Sequence, residues 1–132
     1  MSTMLERLPA VRRIETDREN VFAFELAGYL SAADIENLYG LLEGAYAVYD
    51  RIDLLLKFVD HEGIDRDAIM SDTAAGLSDH AGKHVNRAAM VGAPEWVSAA
   101  STLVSAFSSV KLKRFEPDEE QAAWAYIEAN PT

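Results

Sequence analysis

The amino-acid sequence predicts an α/β fold: a four- to five-stranded mixed sheet with an N-terminal hairpin and about four helices. Short apolar runs alternate along the chain with longer segments of helical periodicity, which is typical of a mostly parallel sheet covered by helices. The first two runs are separated by only four polar residues, so we expect them to form an antiparallel hairpin. The 132 residues contain no internal repeat and no low-complexity linker, and residues 1–132 are therefore predicted to form a single domain.

The predicted order of elements is β-β-α-β-α-β-α-β-α, and it begins with the hairpin and a helix. The hairpin strands are expected at residues 11–16 and 21–27, with Gly28 ending the second strand. Ser31 is a good helix N-cap, and Asp34 three residues later approximates a capping box. Apolar side chains at three- and four-residue spacing follow, which predicts that a helix begins here.

This first helix is expected to end near residue 48, and the most apolar segment of the chain comes next. Residues 52–59 are almost uninterruptedly apolar, as expected for a strand covered on both faces. An acidic loop is predicted over residues 60–67, and residues 67–77 have the periodicity of a second helix. Residues 88–91 then form a short buried strand.

The remaining elements are two helices with a strand between them. Pro94 suits the first turn of a third helix, and apolar residues recur at helical spacing over residues 96–107. Residues 110–115 alternate strictly and carry lysines, which is typical of an edge strand. Pro117 and Asp118 are expected to open the last helix.

The charge and the absence of cysteine exclude several classes of function. Twelve Lys and Arg against twenty-two Asp and Glu give a formal charge of −10, which argues against binding to nucleic acid or to an anionic membrane surface. With no cysteine, the chain has no disulfide, no thiolate metal site and no cysteine nucleophile. The sequence shows no signal peptide and no membrane-spanning run, so a cytoplasmic location is expected.

Four short patterns in this order of elements resemble those of one family. They are Phe24-x-x-x-Gly28-x-Leu30-x-x-x-Asp34, the strand Leu54-Leu55-Leu56 before the acidic loop, Met90-Val91-Gly92-x-x-x-Trp96 followed by Phe107, and Val110-x-Leu112-x-x-Phe115. The chain thereby resembles a SpoIIAA-like protein of the STAS group (sulfate-transporter and anti-sigma-factor-antagonist domains). The resemblance implies a bacterial regulatory module with no enzymatic activity and no cofactor, which binds a protein partner or forms a homodimer.

The resemblance also implies a phosphorylation switch, from which this sequence departs. In anti-sigma-factor antagonists a Ser or Thr that opens the second helix is phosphorylated, and the added charge blocks docking. Here residues 60–67 contain no hydroxyl group, and Ser71 and Thr73 come later, inside the predicted helix. We therefore predict a module without the usual phosphorylatable residue.

The acidic loop is the candidate interaction site. Asp60, His61, Glu62, Asp65 and Asp67 fall within eight residues. Several carboxylates could bind a hard cation, but their spacing is not that of an EF-hand, and the second histidine of a zinc motif is missing. The simpler explanation is that Asp65 caps the second helix and Asp67 lies in its first turn, near the positive end of the helix dipole, so no metal site and no catalytic residue is predicted.

Histidines and tyrosines leave two further alternatives open. His80 and His84 could share one helix face around a metal, although solvated imidazoles near a helix end are favoured. Four tyrosines gather around the first helix, either as rings on the surface with hydrated hydroxyl groups or as an apolar patch for a partner or small ligand: Tyr29, Tyr39, Tyr46 and Tyr49. The alternative function is a carrier of a small apolar or lipid-like ligand, held between the first helix, the third helix and the sheet.

Overall fold

The computed structural model describes residues 11–64, 83–93 and 111–132, which form one mixed sheet with a helix on each face. The elements are β1 (Val11–Ile14), β2 (Val21–Leu30), α1 (Ala32–Val48), β3 (Ile52–Ile64), β4 (Val85–Val91), β5 (Lys111–Phe115), a 3-10 turn (Pro117–Glu119) and α2 (Glu120–Tyr126). The strands lie in the order β1-β2-β3-β4-β5, with β1 antiparallel to β2 and the other neighbours parallel. The mixed sheet and its N-terminal hairpin are thus confirmed.

The number of helices differs from the prediction. The described residues contain two α-helices rather than about four. These two correspond to the first and last predicted helices, whereas the helices predicted over residues 67–77 and 96–107 lie outside the described residues. The last helix also begins later than predicted, because Pro117 and Asp118 lie in the 3-10 turn that precedes it.

The start of α1 confirms the capping box. The Ser31 hydroxyl accepts a hydrogen bond from the Asp34 N–H at 3.2 Å, and the Asp34 carboxylate accepts one from the Ser31 N–H at 2.8 Å. These two bonds satisfy backbone groups that a helix leaves unpaired at its first turn. Together they fix the direction in which the chain leaves β2 and returns along the sheet.

Strand β3 is covered on both faces, as its apolar run predicts. Leu54 and Leu56 belong to the core cluster between the sheet and α1, and each is at most 1% exposed. Leu55 points to the opposite face, where it packs in a second cluster with Trp124 of α2. Strand β5 ends the sheet next to β4, which confirms the edge strand.

A buried ionic network lies at the end of the sheet where β3 and β4 begin. Asp53 is only 3% exposed. Its carboxylate accepts hydrogen bonds from the Arg87 backbone N–H and the Arg87 guanidinium, both at 3.2 Å. Asn86 is the extra residue of a bulge in β4 at this point, and its amide donates to the same carboxylate at 3.4 Å. The carboxylate therefore serves as the acceptor for a backbone N–H at the point where the bulge interrupts the regular ladder between β3 and β4.

The same network holds the C-terminal segment against the sheet. The Arg87 guanidinium contacts the Glu128 carboxylate at 2.7 Å and donates to the Tyr126 carbonyl at 3.0 Å. Glu128 adopts a positive φ of 56°, a conformation that ends helices and usually favours glycine. The ion pair with Arg87 accounts for a glutamate at a position whose backbone conformation favours glycine. Asp17 adds a second attachment, because its carboxylate accepts from the Asn130 backbone N–H at 2.9 Å.

Acid is expected to weaken this attachment. The hydrogen bond from Arg87 lowers the pKa of Glu128, and the hydrogen bonds from Asn130 lower the pKa of Asp17. A carboxyl group with a depressed folded-state pKa contributes stability above its ordinary value, near 4, and loses it as the pH falls through the folded-state value. Thermal unfolding from about pH 7 to about pH 3 should show a gap in Tm between wild type and Glu128→Gln that closes below about pH 4. A gap that stays constant across this range would contradict the assignment.

Tyr46 is buried, so the expectation that its ring lies on the surface with a hydrated hydroxyl is wrong for this residue. It is 9% exposed, and its ring stacks on the His84 imidazole with centroids 4.6 Å apart. Within the described part of the chain, its hydroxyl oxygen has no hydrogen-bond partner. Burial raises the pKa of this hydroxyl, and the charge of Glu43 adds to the effect. The helix periodicity explains the burial, because Tyr46 lies one turn after Leu42 on the inward face.

Removing this unpaired hydroxyl is expected to stabilise the protein. A buried polar group without a partner costs about 1–3 kcal/mol, so Tyr46→Phe should raise the free energy of unfolding by about 1 kcal/mol and Tm by about 4 °C. Tyr49→Phe is the matched control, since Tyr49 is only half-buried, and it should change Tm little. A decrease in the Tm of Tyr46→Phe would show that the hydroxyl has a stabilising partner.

Candidate functional site

The acidic residues that follow the core of β3 form a β-bulge rather than a loop. The prediction of a loop is wrong for Asp60, His61 and Glu62, because β3 stays paired with β2 as far as Ile64. Between the pairs Ala27–Val59 and Tyr29–Gly63, β2 contributes one residue and β3 contributes these three. The strand was not predicted this far because bulged residues need no buried face and therefore show no alternation. Asp65 and Asp67 lie outside the described residues.

Gly28 lies opposite the bulge, in the left-handed backbone region that favours glycine. It was expected to end β2, but β2 continues to Leu30, and Gly28 adopts a φ of +69°. A Cβ atom at Gly28 would lie 3.5 Å from a carboxylate oxygen of Glu62. Asp60 also has a positive φ, of 47°. Both strands therefore leave the regular extended conformation at this point. Asp60 and Glu62, the first and last residues of the bulge, are both exposed.

Tyr29 completes the exposed surface around the bulge. Its side chain is 53% exposed, and its ring lies 3.6 Å from the position that a Cβ atom on Gly63 would take. An exposed Tyr29 ring fits both alternatives for the tyrosines, a ring on the surface and an apolar patch for a partner. We call Tyr29, Asp60 and Glu62 the bulge surface. It combines one aromatic ring with two carboxylates at the carboxyl ends of parallel strands, which is where α/β sheets commonly bind their ligands.

The neighbouring strand end is tightly held, which gives the bulge surface a rigid base. Gly92 has a φ of +67°, and a Cβ atom there would lie 3.1 Å from the Phe58 carbonyl oxygen. Its N–H donates to the Phe115 carbonyl at 2.9 Å, and the Arg114 guanidinium donates to the Ala93 carbonyl at 3.3 Å. These contacts join β3, β4 and β5 where the chain leaves β4.

Metal chemistry has no assembled ligand set in the described part of the chain. No group of three or more His, Asp or Glu side chains lies close enough to hold an ion among residues 11–64, 83–93 and 111–132. His84 is half-buried against Tyr46, and its Nδ1 lies 3.0 Å from the Asp50 carbonyl oxygen, so it is less solvated than expected. His80, Ser71 and Thr73 lie outside the described residues.

The sequence contained a signal for the bulge that the strand prediction did not use. An isolated glycine inside a strand pattern indicates either an end or a bulge, and Gly28 was assigned to the first of these. The buried Asp53 was also missed. A single acid inside the run from Ile52 to Val59 indicates a buried charge, because an acid is almost never fully buried without a partner.

Comparison with known proteins agrees with this geometry. The model of one protein family, described as SpoIIAA-like, matches residues 21–128. The chain belongs to the SpoIIAA-like family. This confirms the family that the sequence patterns indicate, and the match spans the bulge surface and the network around Asp53.

A solved structure has a fold similar to that of this chain. It is an uncharacterized protein of the DUF3478 family from Shewanella loihica PV-4 with a SpoIIAA-like fold, 24% identical to this chain, with a TM-score of 0.67. The similarity covers 96% of this chain and 98% of the other, and at this level of identity it establishes the fold. A search of curated proteins found no match. Within the residues described, neither helix is long and apolar enough to cross a membrane.

The role of Gly28 in this SpoIIAA-like domain leads to a testable expectation. Gly28→Ala forces a residue with a Cβ atom into the left-handed region, which costs about 1–2 kcal/mol, and the new methyl group meets the Glu62 carboxylate. We expect Tm to fall by about 4 °C or more in thermal unfolding followed by circular dichroism. Gly44→Ala is the control, because a Cβ atom there meets nothing within 4 Å and the helix gains from alanine. Equal Tm changes in the two variants would rule out this role for Gly28.

Proposed function

We propose that this chain is a non-catalytic regulatory module that binds another protein through the bulge surface. The observation that carries the proposal is the bulge in β3, which presents the exposed Asp60 and Glu62 beside the exposed Tyr29. Membership of the SpoIIAA-like family supports a regulatory role, since domains of this kind commonly act through protein contacts. The whole chain is proposed to act as one domain in the cytoplasm.

The chemistry of the bulge surface indicates the kind of partner. Two exposed carboxylates on a chain of net charge −10 attract a surface rich in Lys or Arg, and complementary charges speed and orient association. The aromatic ring of Tyr29 can supply the apolar anchor that such interfaces concentrate near their centre. The proposed docking does not use the Ser or Thr switch that the family resemblance implies, because residues 60–67 contain neither residue.

Quantitative capture from the native host lysate tests this proposal. Wild-type protein should retain one protein of basic surface in stoichiometric amount, and Tyr29→Ala with Asp60→Asn and Glu62→Gln should retain at least ten-fold less. The matched control is Glu15→Gln with Asp50→Asn, which also removes two exposed acids but lies away from the bulge. Equal capture by both variants, or no stoichiometric partner for the wild type, would overturn the proposal.

The carrier of a small apolar ligand remains a prediction. Between α1 and the sheet the described side chains are closely packed, with Leu38 1% and Leu42 0% exposed. The third helix, which the carrier also requires, lies outside the described residues. Native mass spectrometry of protein purified from its host would show a co-purifying ligand if the chain is a carrier.

A further inference from the structure

The solvent-facing side of α1 has an unusual composition. Eight exposed residues form this side, which we call the α1 outer face: Ala33, Glu36, Asn37, Gly40, Leu41, Gly44, Ala47 and Val48. Only one of the eight is charged, whereas the solvent-facing side of a helix is normally rich in charged residues. Leu41 is 40% exposed and Val48 is 71% exposed. The helix therefore presents an apolar, nearly uncharged strip to solvent on a strongly acidic protein.

Nothing inside the described protomer requires the two glycines of this strip. A Cβ atom on Gly40 or Gly44 would meet no atom within 4 Å. Glycine in a helix interior costs about 0.5–1 kcal/mol relative to alanine, so both residues weaken the helix without relieving a contact. Their flat surface would allow another backbone to approach α1 closely.

A hollow of about 330 Å³ adjoins the C-terminal half of the α1 outer face. Its lining combines apolar side chains with one cation and one anion: Phe22, Leu41, Val48, Tyr49, Arg13 and Glu19. The Arg13 guanidinium lies 4.8 Å from the centre of the Phe22 ring. The strip thus has protruding apolar side chains, a neighbouring hollow and charges of both signs.

We infer that the α1 outer face is the contact between two copies of this chain related by a two-fold axis. In a two-fold interface the same patch of each copy faces the other, so the patch must be complementary to itself. The exposed Val48 of one copy can fill the hollow of the other, and the Arg13 of each copy can approach the Glu19 of its neighbour. A different protein whose surface carries charge of only one sign would complement either Arg13 or Glu19, but not both.

Charge and area set the expected strength. Two chains of net charge −10 repel each other, and they come together with least cost where the contact carries few acids, as here. Stable interfaces bury about 800 Å² on each partner, whereas a contact built on a single helix face belongs with the smaller, transient interfaces, so the dimer is sought in the micromolar range. The contact is centred near the start of β2, at the other end of the sheet from the bulge surface. It is therefore independent of the proposed function.

Sedimentation equilibrium of the full chain tests the inference from about 5 µM to about 1 mM, a range that brackets micromolar affinity. The wild type should pass from monomer to dimer, twice its mass of 14.5 kDa. Gly44→Lys should weaken the dimer at least ten-fold without lowering Tm, because lysine favours a helix more than glycine does. Its added positive charge lessens the overall repulsion between copies, so the loss would come from the contact itself.

Two further variants separate this contact from other causes. Ala122→Lys adds the same charge at an exposed position of α2 and should dimerise like the wild type. Arg13→Glu should weaken the dimer, and Arg13→Glu with Glu19→Arg should recover most of the affinity. A wild type that is monomeric at about 1 mM, a dimer unaffected by Gly44→Lys, or assemblies larger than a dimer would each overturn the inference.

Discussion

Replacing Asp53 with alanine is expected to lower the free energy of unfolding by about 3 kcal/mol. The carboxylate is 3% exposed and compensates the charge of Arg87, whose guanidinium lies 3.2 Å away. Its removal leaves the partly buried Arg87 guanidinium without this carboxylate and frees the Arg87 N–H at the bulge of β4. The loss falls at the lower end of the range for buried pairs because Arg87 keeps Glu128 and some access to water. Urea unfolding with an unchanged m-value would measure it.

An exposed ion pair on the neighbouring strands provides the matched control. Arg12 and Glu25 lie 3.0 Å apart, with side chains 44% and 21% exposed, so Glu25→Ala should cost less than about 1 kcal/mol. A double-mutant cycle between Asp53→Ala and Arg87→Ala should show a coupling energy of at least about 1 kcal/mol. If Asp53→Ala and Glu25→Ala destabilise equally, burial gives the Asp53 network no special role.

The elements that the sequence predicts best depend on neighbours close in the chain. Ser31 and Asp34 are three residues apart, and their reciprocal hydrogen bonds follow from that spacing. The inward face of α1 follows equally from a period of 3.6 residues, and this period also places Tyr46 inside. Tyr46 was missed because an aromatic residue with a hydroxyl group was assigned to the surface on its chemistry, whereas its position in the helix decides its burial.

The features that escape prediction depend on register between strands. Gly28 lies opposite bulged residues that are more than thirty positions away in the chain, and no local pattern contains that register. The same holds for Asp53, whose burial depends on Arg87 thirty-four residues later. The candidate site was therefore found by its composition but given the wrong local structure. Acidic residues identify a polar exposed surface, and only the sheet shows that Asp60 and Glu62 belong to a bulge that ends where Tyr29 pairs with Gly63.

Trp124→Ala is expected to have the largest effect of any single substitution in the second core, about 4 kcal/mol. Four of the ten buried residues in that cluster are alanine, so Trp124, 4% exposed, supplies much of its volume. Helix α2 has seven residues and cannot persist without packing on the sheet. The loss of the ring should therefore also weaken the attachments that follow α2, including the contact between Glu128 and Arg87.

Trp124→Phe separates the volume of the ring from its hydrogen bond. The indole N–H donates to the Glu120 carboxylate at 3.2 Å, and Glu120 also pairs with Lys57 at 3.0 Å. Phenylalanine loses this hydrogen bond and part of the volume, so it should cost about 1–2 kcal/mol. Circular dichroism is the appropriate measurement, because the chain has two tryptophans and the variant removes a fluorescent probe. If Phe and Ala cost the same, the hydrogen bond to Glu120 rather than the buried ring holds α2 on the sheet, and Glu120→Ala, which removes the acceptor, should then reproduce most of the loss.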